Sequence, residues 1–289
     1  MIVDVAAAVI LRADGAFLLA RRPPGKVYAG WWEFPGGKVE PDERPEKALA
    51  RELTEELGIR VRTAYPWITR VFTYEHATVR LHFFRVTAWD GSPQPREGQL
   101  IEWQRVGCPM LEPMLPANAP VLASLGLPYE YAITGADTSL GQIEARLRSG
   151  LKLLRLRGSA PAGTAELASS HGARVLGAPG EGLDGIHFTA AELMALRARP
   201  AAGLCAASCH TREELDRAMA LGMDFAVLGP VKPTATHPGA VPLGWQGFAQ
   251  IACCTSIPVY AIGGMRREDL VDAWTAGAHG IAMIRGSWA

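Results

Sequence analysis

Three glutamates recur at helical spacing within residues 37–59. Glu52, Glu55 and Glu56 are three and four residues apart, so a helix would place their carboxylates on one face. Like charges at this spacing destabilise a helix, and Arg51 is the cation that lies among them. A hard divalent cation with oxygen ligands would turn this repulsion into binding. The segment therefore predicts a metal site, with a solvated, glutamate-rich helix surface as the alternative.

The residues around the glutamates favour a helix with a defined start and end. Leucines recur every four residues over Leu49–Leu57 and form an apolar stripe suited to a core. Pro45 suits the first turn of this helix, and Gly58 suits a left-handed cap after its last turn. Before the helix, Gly36 and Gly37 predict a tight turn. These elements would hold the carboxylate face in a fixed position.

The overall composition narrows the class of protein. The 289 residues are 48% hydrophobic, which is enough for a sizeable core and for two domains. Basic and acidic residues number 29 each, so no net charge points to polymeric nucleic acid or an anionic membrane as a partner. The five cysteines are absent from residues 1–107, which favours a reducing cytoplasm over a disulfide framework. No run of about 18 uncharged apolar residues occurs, so we expect no membrane span.

The hydrophobic pattern divides the chain into two predicted domains, residues 1–127 and 129–289. Mixed strand and helix signals in the first domain predict an α+β fold, a mixed sheet sandwiched by helices. Its predicted elements are a hairpin, two long antiparallel strands, a further strand and a closing helix: residues 2–12 with 16–21, 61–73 with 78–88, 101–106, and 119–125.

The second domain alternates short apolar runs with helical segments. Eight runs predict a small α/β barrel of the (β/α)8 type, although roughly 160 residues is far below the ~250 that are usual. The runs are residues 131–134, 153–157, 174–177, 185–188, 204–208, 225–231, 258–263 and 280–285. Gly263, Gly264 and Gly286 follow the last two runs, where barrels often bind phosphate; tight turns are the alternative reason for these glycines.

Residues 37–59 resemble the Nudix box. Its fixed positions are all present: Gly37, Glu43, Arg51, Glu52, Leu53, Glu55, Glu56, Gly58 and Ile59. The resemblance to the MutT-like branch of Nudix hydrolases extends over nearly all of residues 3–125. It is carried by four further motifs: Ala-Arg-Arg (20–22), Trp-Glu-Phe-Pro-Gly-Gly-Lys (32–38), Arg-Glu-Gly-Gln (96–99) and Pro-Ala-Asn-Ala-Pro (116–120). That branch hydrolyses 8-oxo-dGTP to the monophosphate and pyrophosphate, so the resemblance implies sanitation of the nucleotide pool, in the service of DNA replication and repair.

The resemblance also implies roles for individual residues. The metal would be Mg²⁺, with Mn²⁺ as a substitute, held by the carbonyl of Gly37 and the carboxylates of Glu52, Glu55, Glu56 and Glu97. Catalytic roles would belong to Glu52, Glu55, Glu97 and Arg51: Glu97 would bind a metal or act as the base, and Arg51 would hold the carboxylates. The nucleoside triphosphate would contact Arg22, Phe34, Lys38 and Asn118. Asn118 would read the purine edge, because an amide offers both a donor and an acceptor.

The second domain resembles thiamine phosphate synthase and its TenI-like relatives. Four motifs carry this patchy resemblance: Asp-Gly-Ile-His (184–187), Ser-Cys-His (208–210), Leu-Gly-Pro-Val-Lys-Pro-Thr-Ala-Thr (228–236) and Ala-Ile-Gly-Gly (261–264). They imply a thiamine phosphate-like ligand whose phosphate contacts Arg157, Ser208, Thr234, Thr236, Gly263 and Gly264.

The barrel sequence also departs from that family. Ser159 and His237 stand where the family has lysines, and residues 177–180 replace an Asn-Asp pair that helps to bind magnesium. After the fourth strand, Glu192 is the candidate acid. Pyrophosphate displacement needs charge neutralisation. The resemblance therefore implies a phosphate-binding mouth and puts synthase activity in doubt.

Three functional hypotheses follow from the sequence. The first is a Mg²⁺-dependent Nudix hydrolase of oxidised purine nucleoside triphosphates with an appended barrel. The second is a thiamine-linked bifunctional enzyme, in which the Nudix domain cleaves a damaged thiamine diphosphate analogue and the barrel handles the product. The third treats the barrel as a non-catalytic phosphate-ligand sensor or a scaffold.

Overall fold

The structure is a computed structural model that describes residues 2–158, 161–201, 203–234, 239 and 241–288. The chain separates into two compact units between Gly126 and Leu127. Among the described residues, no helix is long and apolar enough to cross a membrane.

Residues 2–126 of the N-terminal unit contain seven strands and two helices. In chain order they are β1 (Ile2–Ile10), β2 (Phe17–Arg21), β3 (Trp32–Glu33), β4 (Gly36–Lys38), α1 (Pro45–Leu57), β5 (Arg60–Thr73), β6 (Thr78–Asp90), β7 (Leu100–Gln104) and α2 (Ala119–Leu125). One sheet has the strand order β4-β1-β6-β5, and a second has the order β3-β2-β7. The first sheet is mixed, because β1 and β6 are parallel whereas its other pairs are antiparallel.

The centre of this unit is the apolar strand β1. Successive side chains of a strand point to opposite faces. Ala6, Ala8 and Ile10 accordingly join the core cluster that contains the leucines of α1. Ala7 and Val9 join a second cluster that contains Phe34 and Val121 of α2. The prediction of a mixed sheet between helices is confirmed.

The predicted hairpin of residues 2–12 and 16–21 is wrong in its pairing. A tight turn forms at Asp14 and Gly15, and the Arg12 N–H donates to the carbonyl of Ala16 at 2.9 Å. Beyond the bridge between Leu11 and Phe17, however, the two strands belong to different sheets. Both edges of β1 are occupied by β4 and β6, so β2 pairs with β3 and β7 instead.

Helix α1 has the predicted stripe and ends. Its three leucines, Leu49, Leu53 and Leu57, are fully buried. Pro45 begins the helix, and Gly58 caps it with a φ of 68°. The leucine stripe fixes the helix against the sheet and turns the glutamate face away from the core.

Gly36 and Gly37 do not form the predicted turn. They lie in β4, paired antiparallel with Ala7 and Ala6 of β1. A Cβ on Gly36 would overlap the carbonyl of Ala6, and a Cβ on Gly37 would overlap the carboxylate of Glu52. Glycine is therefore required here for close approach of α1 and β1 and not for a change of chain direction.

The second unit is a closed parallel barrel of eight strands. They are β8 (Glu130–Ile133), β9 (Leu153–Arg155), β10 (Arg174–Gly177), β11 (Gly185–Phe188), β12 (Leu204–Cys209), β13 (Phe225–Leu228), β14 (Val259–Ile262) and β15 (Gly280–Met283). Each of the eight predicted runs overlaps one of these strands, within one residue at either end of β8 and β12, so the barrel prediction is confirmed.

In the described part of the second unit, six helices surround the barrel. They are α3 (Leu140–Arg148), α4 (Thr164–Ser170), α5 (Ala190–Ala195), α6 (Arg212–Ala220), α7 (Gly244–Ala252) and α8 (Leu270–Thr275). No helix separates β10 from β11 within the described residues, and a 3-10 turn, Arg285–Ser287, follows β15. Tyr131, Phe225 and Tyr260 meet inside the barrel in edge-to-face and tilted contacts.

Candidate functional site

Arg51 holds several carboxylates at the start of the candidate site. Its guanidinium donates to both carboxylate oxygens of Glu43, at 3.1 and 2.9 Å. It also donates to Glu52 at 2.8 Å, to Glu55 at 3.3 Å and to the carbonyl of Lys38 at 3.0 Å. The hydrogen bond from Arg51 lowers the pKa of Glu43, and the bonds to Glu43 and Glu52 raise the pKa of Arg51. Arg51 therefore stays charged and fixes Glu52 beside β4.

Among the acidic residues of α1, Glu56 has the most strongly shifted pKa. Its carboxylate accepts the Gly36 N–H at 3.2 Å. Burial and the negative charges of Glu33, Glu52 and Glu97 raise the pKa of Glu56 to about 7, against the opposing effect of the Gly36 N–H. These carboxylates thus act on one another, and a bound cation would relieve both the burial cost and the repulsion.

The loop that carries Glu97 is tied to the end of α1. The last carbonyls of a helix lack partners within the helix. Here the Gln94 N–H donates to Leu57 O at 3.0 Å, and the Arg96 N–H donates to Glu56 O at 3.0 Å. The side-chain amide of Gln99 also donates to Glu56 O, at 2.8 Å.

Glu97 has two further polar contacts within this loop. Its backbone N–H donates to the side-chain oxygen of Gln99 at 2.7 Å. Its carboxylate forms an ion pair with Lys26 at 3.0 Å, and both side chains of this pair are about half exposed. The bonds to the end of α1 and the Gln99 contact place Glu97 on the wall of the cavity that also contains Glu52 and Glu56.

A cavity of about 730 Å³ joins most of the predicted site residues of this unit. Those on its wall are Arg22, Phe34, Gly37, Lys38, Glu52, Glu56, Glu97 and Asn118. Arg51 and Glu55 are not on this wall. Arg51 lies behind Glu52, and the Glu55 side chain is 55% exposed and contacts Arg51.

The oxygen donors in this cavity fit a divalent metal ion. Among the described residues, no three His, Cys, Asp or Glu side chains are already arranged to hold a metal ion. Mg²⁺ does not require such a cage, because it is usually bound by one or two carboxylates together with waters and substrate phosphates. The raised pKa of Glu56 and the contact between Gly37 and the Glu52 carboxylate identify the place where a cation would be stabilised.

A second set of residues on the cavity wall has a different chemistry. Arg22 donates from one nitrogen to both carboxylate oxygens of Glu33, at 2.7 Å each. Burial raises the pKa of Glu33, although Arg22 opposes this effect. Asn118 is 4% exposed and precedes α2. Phe34, also buried, packs against Phe83 with ring centroids 5.8 Å apart. These wall residues therefore combine an apolar ring with a buried amide and a partly buried ion pair.

Several residues of the cavity wall were not predicted from the sequence. Glu33 lies inside the motif of residues 32–38. Its position between two aromatic residues was the sequence feature that could have indicated it. Tyr28, Tyr74 and His76 form a ring cluster on the wall, with centroids 5.5 to 5.9 Å apart. Tyr74 and His76 lie at the turn between β5 and β6, far in sequence from Tyr28. No local pattern indicated that they would meet.

The barrel has its own cavity, of about 660 Å³, at the carboxyl ends of the strands. Five of the predicted phosphate contacts are on its wall: Arg157, Ser208, Thr234, Gly263 and Gly264. Thr236, the sixth, lies outside the described residues, as do Ser159 and His237. Arg155, which lies outside the four motifs of the barrel, also lines this cavity, and burial lowers its pKa.

A buried hydrogen-bonded chain leads from the barrel interior to this cavity. The Tyr131 hydroxyl and His187 Nδ1 are 2.8 Å apart, and His187 Nε2 and the Ser208 hydroxyl are 2.9 Å apart. Burial raises the pKa of Tyr131, and burial together with the charge of Arg155 lowers the pKa of His187 well below its ordinary value. Both groups therefore remain neutral near pH 7 and fix the position of Ser208.

Glu192 is used for helix capping. Its carboxylate accepts hydrogen bonds from the Thr189 N–H at 2.7 Å and the Thr189 hydroxyl at 2.9 Å. The Glu192 N–H in turn donates to the Thr189 hydroxyl at 3.3 Å, which completes a capping box at the start of α5. Glu192, the candidate acid after the fourth barrel strand, therefore has a structural role as part of the cap of α5.

Comparisons with known proteins match the two units separately. The family described as NUDIX domain matches residues 1–125, and the family described as Thiamine monophosphate synthase matches residues 172–286. The CTP pyrophosphohydrolase of Escherichia coli (strain K12) is 40% identical over 120 residues, which are 42% of this chain and 88% of that protein. An 8-oxo-dGTP diphosphatase of Haemophilus influenzae is 38% identical over 124 residues, 43% of this chain and 91% of that protein.

The barrel unit has its own relative. The putative thiamine-phosphate synthase of Geobacter sulfurreducens is 32% identical over 169 residues, which are 52% of this chain and 79% of that protein. The chain therefore belongs to the Nudix family through its N-terminal unit and to the thiamine monophosphate synthase family through its barrel unit. Both resemblances seen in the sequence are confirmed.

The buried His187 predicts a pH dependence of barrel stability. Below about pH 6.5 the unfolded chain binds a proton that the folded barrel does not, so wild-type stability falls by about 1.4 kcal/mol per pH unit. His187→Gln does not titrate, so the stability advantage of the wild type over this variant should shrink as pH falls below 6.5. Urea denaturation monitored by hydrogen exchange of β11 and β12 measures this difference.

Ser208→Ala is the matched control for this prediction. It removes the hydrogen-bond partner of His187 Nε2 without removing a titrating group, so its difference from the wild type should stay constant with pH. A constant difference for His187→Gln as well would show that His187 is not held neutral by the fold.

Proposed function

We propose that the N-terminal unit is a Mg²⁺-dependent pyrophosphohydrolase that converts 8-oxo-dGTP to the monophosphate and pyrophosphate. The observation that carries this proposal is the cavity whose wall includes both the interacting carboxylates and Arg22, Phe34 and Asn118. The carboxylates suit a metal-bound triphosphate, and the other three residues suit a nucleoside. The 8-oxo-dGTP diphosphatases among its relatives agree with this substrate.

The carboxylates of the cavity wall would bind the metal ion and promote hydrolysis of the phosphate chain. Mg²⁺ held by Gly37 O, Glu52 and Glu56 would neutralise the phosphate charge. Glu97, on the same wall, would take a proton from the attacking water, and Lys26 beside it would hold the carboxylate in place. Arg51 would keep Glu52 oriented from behind. Lys38 would add a positive charge for the phosphates.

The role of Glu55 has less support. Its predicted part in metal binding and catalysis would require rotation of an exposed side chain away from Arg51. We therefore place Glu55 in the cluster of carboxylates that Arg51 holds. We expect its loss to lower kcat less than the loss of Glu56 does.

The second set of wall residues would recognise an oxidised purine. The Asn118 amide can donate and accept at once, which suits a base edge whose hydrogen-bonding pattern oxidation has changed. Phe34 would form an apolar wall for the base. The paired Arg22 and Glu33 would add further polar contacts. A site with buried polar groups discriminates strongly, because the wrong base leaves those groups without partners.

Glu56→Gln is expected to lower kcat for 8-oxo-dGTP about 10²–10³-fold, because the amide cannot supply the negative charge that the metal needs. Glu46→Gln makes the same chemical change on the exposed side of α1, outside the cavity, and should leave kcat unchanged. Steady-state kinetics with Mg²⁺ measure both variants. A Glu56→Gln rate near that of the wild type would refute the assignment of Glu56 to the metal.

Asn118→Ala is expected to reduce the ratio of kcat/KM for 8-oxo-dGTP over dGTP roughly tenfold, since a buried hydrogen bond to the base would be lost. The dGTP rate of the same variant is the internal control and should change less. CTP is the third substrate to test, because a CTP pyrophosphohydrolase is among the relatives. A wild-type enzyme with no preference for 8-oxo-dGTP over dGTP would contradict the proposed substrate, and a preference for CTP would replace it.

The barrel unit supports a second, separate proposal. We infer that its mouth binds the phosphate of a thiamine phosphate-like ligand, because Arg157, Thr234 and two glycines line one cavity with Ser208. The replaced lysines and the capping role of Glu192 leave synthase chemistry without its expected charges. A sensor or scaffold role, or a thiamine-linked pairing of the two units, remain the alternatives.

Arg157→Gln should weaken phosphate-ligand binding about tenfold by removal of a guanidinium from the mouth. Ligand-induced thermal shifts of the full-length protein with thiamine phosphate, inorganic phosphate and pyrophosphate measure this effect. Arg148→Gln, at an exposed position on α3, is the matched control and should bind like the wild type. Wild-type protein without a shift for any of the three compounds would leave only the scaffold role.

A further inference from the structure

The loop between α7 and β14 carries two adjacent cysteines, Cys253 and Cys254, that neither proposed function uses. Both are exposed, and neither lines the mouth cavity. The loop follows a helix and precedes a barrel strand, so it lies at the end of the barrel opposite the mouth. The cysteine pair is therefore separate from the candidate phosphate site.

The sulfurs of the two cysteines are in contact. Cys253 Sγ and Cys254 Sγ are 3.1 Å apart. Side chains of adjacent residues ordinarily point away from each other in strands and do not face each other in helices. Here Cys254 has a left-handed backbone conformation with a φ of 59°, which residues with a Cβ rarely adopt. The two thiols therefore face each other because of the conformation of this turn.

Neighbouring residues anchor the turn on both sides. Ala252 before the pair and Thr255 after it are buried. Arg212 of α6 donates to the carbonyls of Ile251 at 3.2 Å and Cys253 at 2.6 Å. Because the turn is already ordered, a bond between the two sulfurs would require little additional loss of chain entropy.

We propose that Cys253 and Cys254 form a redox-active vicinal dithiol, which a small-molecule disulfide converts to an intramolecular disulfide. A thiolate of the pair attacks one sulfur of the oxidant, forms a mixed disulfide and releases one thiol molecule. The second cysteine then attacks the protein sulfur of the mixed disulfide, closes the Cys253–Cys254 bond and releases the second thiol molecule. The protein loses two hydrogens and two electrons, and the oxidant is reduced to two thiols.

Reaction of the reduced full-length protein with oxidised glutathione tests this proposal. After alkylation of the remaining thiols, unreduced peptides are analysed by mass spectrometry. In the wild type, the peptide with both cysteines should be lighter by two hydrogens and carry neither glutathione nor an alkyl group. Cys108 is the internal control, because this exposed cysteine has no cysteine beside it in the sequence and should keep a glutathione.

Cys253→Ser and Cys254→Ser are the matched variants. Each lacks the second thiol, so the remaining cysteine should keep roughly tenfold more glutathione than the wild-type pair does. Wild-type protein that keeps as much glutathione at this peptide as the single variants would overturn the proposal. Disulfide-linked dimers formed through Cys253 or Cys254 would overturn it as well.

Phenylarsine oxide is a second probe, because it binds stably only where two thiols can reach one arsenic atom. The wild type should bind one equivalent at this peptide, and an added dithiol should remove it. Either serine variant should lose this binding. Equal binding by the wild type and the serine variants would contradict a cooperating pair of thiols.

Discussion

The ion pairs of Arg51 are the interaction on which the N-terminal site depends. Carboxylates that are to bind a cation must be close together before the cation arrives, and their repulsion then opposes folding. Arg51 offsets this repulsion by contacts with Glu43, Glu52 and Glu55 while it lies outside the cavity wall. Burial and the charges of Glu33, Glu52 and Glu97 raise the pKa of Glu56, and no ion pair with Arg51 offsets this effect. Glu56 thus faces the cavity without the compensating ion pair that Glu52 has on the same wall.

The elements of the N-terminal unit were predictable where the signal is local. The leucine spacing, Pro45 and Gly58 define α1 in the sequence and in the structure alike. The pairing of β1 was not predictable from the tight turn at Gly15, because β4 and β6, which occupy the edges of β1, are distant in sequence. Gly36 and Gly37 have the composition of a turn, whereas the groups that require glycine there, Ala6 and Glu52, are distant in sequence.

In the barrel, too, features set by neighbouring residues were predictable from the sequence, and contacts between residues distant in sequence were not. Its eight strands follow from short apolar runs, and the Thr189–Glu192 capping box is readable from residue types three apart. The chain from Tyr131 through His187 to Ser208 joins residues that are 56 and 21 positions apart. Only closure of the barrel brings them together. Most of the predicted phosphate contacts at the mouth were therefore found through motifs, whereas Arg155 and the hydrogen bonds of Tyr131 and His187 were not.

The bonds between the Glu97 loop and the end of α1 have a consequence for how this enzyme would lose activity on heating. Helix ends fray before a domain unfolds, and local opening has its own, lower free energy. Release of the carbonyls of Glu56 and Leu57 would free the loop that they hold, and Glu97 with it. Inactivation would then begin as a reversible local event, at temperatures where the sheet and both cores are still intact.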